Sequence, residues 1–149
     1  MTRHAREWYG ISATCAIISD AYAKQIGMTY TKMRNKAGST IAPEIKTFQA
    51  AASNADWAKA DGYFLILTNQ PGADSWPITG ASFIIMHKEA KDPKASETAL
   101  KFFAWAYKNG GDMATQLDYV PIPTGVVKLV EKTWSASITT AGKPVWASK

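Results

Sequence analysis

Histidine and cysteine, the side chains best suited to transition-metal ligation and nucleophilic chemistry, are scarce in this 149-residue chain. There are two histidines, His4 and His87, and one cysteine, Cys15. A lone cysteine forms no internal disulfide and cannot build a Cys-rich zinc site. His87 closes an apolar run, a place where histidine is more often a half-exposed strand end than a ligand. No metal site and no cofactor are expected. No Ser-His-Asp set is visible, and no G-x-S-x-G, Walker lysine, G-x-G-x-x-G or H-E-x-x-H occurs. Asp56 and Asp61 could pair for general acid–base work. Nothing marks a cleft around them, so surface charge is the favoured reading. No catalytic residue is assigned.

Gly38-Ser39-Thr40 is the one anion-binding candidate. A Gly-Ser-Thr loop before a helix can hold phosphate through backbone N–H groups, hydroxyls and the helix dipole. Here Pro43 is placed to open the helix and removes one donor, so a plain turn with an N-cap is preferred. Six tryptophans and six tyrosines could stack on sugars or bases. Trp105 and Trp134 sit on periodic helical segments, however, and core packing is the simpler account. The net charge is +5, but the seventeen Lys and Arg residues are scattered with no block of like charge. A solvated surface is expected, and no nucleic-acid partner.

The elements that would position any site follow from pattern. Ala21–Ile26 is helix-prone and ends at Gly27. Thr29–Met33 alternates weakly and reads as a short strand, with a turn at Asn35–Ser39. Pro43 occupies a first helical position, with Ile45, Phe48, Ala51 and Ala52 on one face and an end near Asn54. Gly62–Leu67 reads as a strand, followed by a strong turn at Asn69-Gln70-Pro71-Gly72. Phe83–Met86 is a continuous apolar run, as in a strand covered on both faces. Asp92-Pro93 caps the clearest amphipathic helix, whose Leu100, Phe103, Ala104 and Tyr107 share a face. Asn109-Gly110-Gly111 ends it, and Asp112–Leu117 restarts a shorter one. Thr124 is a plausible N-cap for a last helix lined by Val127, Val130 and Trp134, and 142–149 reads as a tail. Mixed helices and strands predict an α/β or α+β fold. No apolar run reaches the length of a membrane span. A signal peptide built from Arg3, His4 and Arg6, then Ile11–Ile18, then Ala21-Tyr22-Ala23 is disfavoured, because Glu7 interrupts the basic start and the apolar stretch is short.

Residues Ala73–His87, ADSWPITGASFIIMH, combine a polar turn, a rigid Trp76-Pro77 entry and the apolar run. They resemble a crossover segment of the periplasmic phosphate-binding proteins of ABC phosphate transporters, the PstS family. The resemblance runs from about Ala21 to Pro144. It is carried by AYAKQ at Ala21–Gln25, YTKM at Tyr30–Met33, NADWAK at Asn54–Lys59 and LTNQPGADSWPIT at Leu67–Thr79. It continues through FIIMHK at Phe83–Lys88, ALKFFAWAYKNG at Ala99–Gly110, LDYVPIP at Leu117–Pro123 and TAGKP at Thr140–Pro144. Order and spacing are those of the C-terminal half of such proteins.

That resemblance implies an α/β fold, the C-terminal portion of a two-lobed periplasmic-binding-protein architecture of type II. Residues 1–20 would be a non-matching N-terminal stretch. Residues 21–79 would finish the second lobe, and 80–149 would return to the first lobe and supply the C-terminal helices. The implied activity is phosphate binding for an ABC-type import system in the periplasm. Its partners would be inorganic phosphate and the membrane permease subunits, with the receptor a monomer. The family's phosphate ligands lie in its N-terminal half, so no phosphate-binding residue is carried over to this chain. The family's strand before AYAKQ, G-A-I-G-Y-V-E-Y, reads CAIISD here at Cys15–Asp20, after an unrelated MTRHAREWYG. That departure implies a truncated or frame-disturbed gene. Two other expectations stand beside this one: an independent small α/β interaction module without ligand binding, and, less favoured, an enzyme with a nonlocal site.

Overall fold

The computed structural model describes residues 20–146. The chain divides into two units, Met1–Tyr30 and Thr31–Lys149. Cys15, His4 and the basic and apolar parts of the disfavoured signal sequence fall outside the described residues.

In the first unit, α1 spans Asp20–Gln25. Lys24 and Asp20 form an i, i+4 ion pair at 2.7 Å. Gly27 takes φ +67°, and the Met28 N–H then donates back to the Ala23 carbonyl at 2.9 Å. This is the left-handed helix end that glycine permits, as the sequence predicts. Ala21-Tyr22-Ala23 is therefore helical.

The second unit opens with an antiparallel hairpin of β1, Met33–Arg34, and β2, Thr40–Ile41. The strand expected over Thr29–Met33 is reduced to this short pair. A strand persists only where another segment hydrogen-bonds to it, and β2 reaches no further. The next helix, α2, spans Ile45–Ser53 and is capped at Asn54. It starts two residues after Pro43. The Thr47 hydroxyl donates to the Ala42 carbonyl at 2.8 Å and accepts the Glu44 N–H at 3.0 Å, which ties residues 42–47 into the entry turn. Single 3₁₀ turns follow at Trp57–Lys59 and Asp61–Tyr63.

Next come α3, Pro93–Asn109, and α4, Gly111–Gln116. The Asp92 carboxylate accepts the Lys94 and Ala95 N–H groups at 3.0 Å each, so the predicted cap and proline start are realised. Helix α5 spans Thr124–Ser137, with Pro123 rather than Thr124 at the cap. It leads into a second hairpin, β3 Thr139–Thr140 with β4 Lys143–Pro144. The expected tail is therefore partly ordered pairing. Ala141 at φ +48° and Gly142 at φ +74° give the two positive φ values of a two-residue hairpin turn. Lys88 and Ala90 flank a parallel bridge: the Thr139 N–H donates to the Lys88 carbonyl, and the Ala90 N–H donates to the Thr139 carbonyl. The architecture is mixed helix and strand, with helices carrying most of the packing.

Two apolar clusters share α5. One holds Ala55, Trp57, Leu67 and Val126. The other holds Leu100, Trp134 and Ile138, with Phe103, Ala104 and Tyr107 packed against it. Val130 touches both. The predicted face of α3 is the buried one. The buried line of α5 runs through Val126 and Trp134, with Val127 only half-buried beside it.

Two expected strands do not form. Residues 64–67 are extended with alternating burial, Leu67 being buried while Phe64 and Ile66 are 80% and 67% exposed. Residues 83–86 are not covered on both faces: Phe83, Ile84 and Ile85 are exposed, Ile85 at 94%. Among the described residues no backbone group pairs with either run to make a ladder. The side chains favour strand, but a strand needs a neighbour to accept its N–H groups.

Candidate functional site

Between the two exposed runs lies the most tightly bonded polar segment of the unit, residues 69–79. Its loop is closed by the Asn69 N–H donating to the Pro77 carbonyl at 2.9 Å. The Asn35 side-chain amide, in the β1–β2 turn, donates to the carbonyls of Gly72, Ala73 and Ser75 at 3.2, 2.6 and 3.2 Å. The Asn54 amide donates to the Ser75 hydroxyl at 3.0 Å, and that hydroxyl donates to the Pro71 carbonyl. Trp76 is buried. Its N–H donates to the Thr47 carbonyl at 3.0 Å, and its ring lies 6.1 Å from that of Phe48. The rigid Trp76-Pro77 entry expected from sequence is thus anchored at both ends. These groups spend their hydrogen bonds on one another, and the segment is a brace rather than a ligand cradle.

The Gly38-Ser39-Thr40 candidate is corrected by its surroundings. The three residues form the end of the β1–β2 turn and the start of β2, not the mouth of a helix. Glu44, not Thr40, caps α2. The Gly38 N–H donates to the Asn35 carbonyl and the Ser39 N–H to the Asn35 Oδ1, so two of the donors a phosphate would need are occupied within the turn. The turn expected at these residues is present, and the N-cap expected with it is not.

Asp56 and Asp61 are both exposed. Asp56 accepts from Lys59 Nζ at 2.6 Å, and that hydrogen bond holds its carboxyl below the ordinary range while raising Lys59. The pair is surface charge, as expected. His87 is exposed. Among the described residues there is no group of three or more His, Cys, Asp or Glu side chains placed to hold a metal ion. No helix among them is long and apolar enough to cross a membrane. Trp134 is buried, but Trp105 is 52% exposed and stacked on Phe102 with ring centroids 6.4 Å apart. Trp105 follows Ala104 directly, so the roughly 100° step of an α-helix turns it off the buried face. The core-packing expectation is right for Trp134 and wrong for Trp105.

A cavity of about 210 Å³ lies under residues 81–88, lined among others by Tyr63, Phe83, Met86, Phe103, Val130 and Trp134. Its lining is largely apolar, and among the described residues Lys88 is the only charged one in it. The Tyr63 hydroxyl is bonded to the Thr133 hydroxyl and to the Leu129 carbonyl, so its polar tip is already satisfied. Tyr107 is pushed above its ordinary pKa by burial and by the negative charge of Glu131. Such a wall disfavours a desolvated anion. The cavity suits an apolar side chain, and sequence reasoning did not foresee it because it lies beside the 83–86 run, which reads in sequence as a covered strand.

No protein-family model matches the chain. Curated relatives do, several of them named phosphate-binding protein PstS. The relative from Pasteurella multocida is 41% identical over 137 residues, covering 91% of this chain and 40% of its own length. That from Haemophilus influenzae is 44% identical over 118 residues, covering 79% of this chain and 35% of its own. That from Xylella fastidiosa is 41% identical over 126 residues, covering 85% and 35%. By their names these relatives are phosphate-binding proteins. Over the matched segment the chain belongs to the PstS phosphate-binding protein family, and it spans 35–40% of the length of these relatives.

Proposed function

We propose that the chain is part of the phosphate-binding component of an ABC-type phosphate import system. The observation that carries this is the 41–44% identity to phosphate-binding relatives over most of the chain. On this reading it corresponds to the C-terminal portion of a two-lobed, type II periplasmic binding protein. Residues 21–79 finish one lobe and 80–149 return to the other. The complete receptor works in the periplasm as a monomer and hands phosphate to the permease subunits in the membrane.

This chain contributes scaffold and no phosphate ligand. The Gly38 and Ser39 N–H groups are spent in a turn, and the cavity beneath residues 81–88 is largely apolar. Phosphate itself would be held by hydroxyls and backbone N–H groups in the part of the relatives that this chain does not span.

Titration calorimetry tests the reading. The isolated chain is expected to give no heat with phosphate. The chain joined to the remaining segment of the Haemophilus influenzae relative is expected to bind phosphate with micromolar affinity or better, about −8 kcal/mol. A fused protein that is folded and silent toward phosphate would overturn the proposal. Micromolar binding by the isolated chain would overturn the assignment of the ligands elsewhere.

A further inference from the structure

The chain holds four asparagines, Asn35, Asn54, Asn69 and Asn109, and only Asn109 is followed by glycine. Asparagine before glycine is the pair most open to spontaneous deamidation, because no side chain shields the following backbone nitrogen from the asparagine Cγ. Asn109 is exposed and ends α3, and Gly110 joins α3 to α4. Two hydrogen bonds occupy the groups that would react. The Asn109 side-chain amide donates to the Trp105 carbonyl at 2.9 Å, and the Gly110 N–H donates to the Ala106 carbonyl at 2.7 Å. Both groups are thereby turned back onto the preceding turn of α3. Glycine is also hard to replace here, since a Cβ on Gly110 would lie 2.6 Å from the Ala106 carbonyl oxygen. The fold thus keeps the reactive pair and restrains it. Asn35, by contrast, is buried with its amide on three carbonyls, and the Asn54 amide is bonded to the Ser75 hydroxyl.

We propose that Asn109 is a deamidation site gated by the last turn of α3. When that turn frays, both hydrogen bonds open and the Gly110 nitrogen can reach Cγ of Asn109. The nitrogen gives up its proton and bonds to Cγ. The Cγ–Nδ2 bond breaks, and the side-chain amide leaves as ammonia, closing a cyclic imide. Water then opens the imide at Cγ to give aspartate, or at the Asn109 backbone carbonyl to give isoaspartate. Water is the only co-reactant. Either product places a new negative charge at the C-terminal end of α3, where the helix dipole opposes it. Either product also loses the donor to the Trp105 carbonyl. Isoaspartate further lengthens the main chain by a methylene between α3 and α4, which displaces the Gly110 N–H from the Ala106 carbonyl. The modification therefore loosens the joint between the two helices.

Peptide mapping of the full chain, incubated at mildly alkaline pH both native and unfolded in urea, tests the site. In the native chain Asn109 is expected to convert before any other asparagine, and roughly tenfold more slowly than in urea, because only the frayed state reacts. Each conversion releases ammonia and removes one positive unit of net charge. Those two readouts separate it from isomerisation at Asp61-Gly62, which changes neither. Asn109→Gln is expected to abolish the conversion. Asn109→Asp reproduces one product, and is expected to speed hydrogen exchange of the Gly110 amide roughly tenfold while leaving the middle of α3 protected. Equal rates in the native and urea-unfolded chains overturn the gate. Earlier conversion of Asn35, Asn54 or Asn69 in the native chain overturns the choice of site. So does an Asn109 that stays intact in the native chain after the unfolded chain has fully converted. Unchanged Gly110 exchange in Asn109→Asp overturns the loosened joint.

Discussion

The side-chain amide of Asn35 donates to the carbonyl of Ser75 at 3.2 Å across forty positions of sequence, in a buried setting. The same amide reaches the Gly72 and Ala73 carbonyls, and its oxygen accepts the Ala37 and Ser39 N–H groups. One side chain thus shapes the β1–β2 turn and holds the 69–79 loop against it. Asn35→Ala is expected to lower stability by roughly 1–3 kcal/mol, because buried carbonyls lose their donor and cannot reach water. Asn35→Asp is expected to be no better, since it sets a carboxylate against three carbonyl oxygens. Urea melts of the three proteins check this, and an unchanged midpoint for Asn35→Ala would refute the brace.

Gly72 shows why that loop tolerates little change. Its φ is +107°, and a Cβ there would lie 2.2 Å from Asn54 Nδ2 and 3.0 Å from Ser75 Oγ. Gly62 also has a positive φ, +58°, but nothing within 4 Å of the Cβ site. Gly72→Ala should therefore destabilise by about 1–3 kcal/mol, through backbone strain and displacement of the Asn54 amide. Gly62→Ala should cost less, since it carries strain alone. The order of the two thermal midpoints decides the point, and a reversed order would contradict it.

Leu100 and Phe102 lie on the same helix with opposite fates. Leu100 is fully buried among Trp134, Ile138 and Tyr107, while Phe102 is 59% exposed. Leu100→Ala should cost roughly 2–5 kcal/mol, from lost burial and the cavity left behind. Phe102→Ala should change stability by about 0.5 kcal/mol or less. Equal losses in denaturant melts would mean that the helix buries a different face.

Tyr107 gives a pH dependence with a definite sign. Burial, then Glu131, hold its pKa above the ordinary 10.0, so the fold prefers the neutral phenol. The stability that Tyr107 contributes is intact below about pH 10, where the unfolded phenol is still protonated, and is lost as pH rises through the folded value. Unfolding between pH 9 and pH 11 should therefore become easier in the native chain, and less so in Tyr107→Phe. Parallel pH profiles for the two proteins would remove Tyr107 from the account.

What the sequence determined by itself is local. The Asp92 cap with Pro93, the buried face of α3, the Gly27 helix end and the 69–72 turn depend on residues a few positions apart, and all form as their spacing predicts. The turn reading of Gly38-Ser39-Thr40 belongs with them. The hairpin at Ala141-Gly142 was present as two residues able to adopt positive φ, but its flanking strands are too short to announce themselves. Tertiary structure decided the rest, because each remaining feature needs a distant partner. Asn35 becomes a brace only where the 69–79 loop arrives beside it. Trp134 is buried and Trp105 exposed according to which helix face meets α5. The runs 62–67 and 83–86 carry strand-forming side chains, yet a strand is defined by hydrogen bonds to another segment, and no described residue of this chain supplies them.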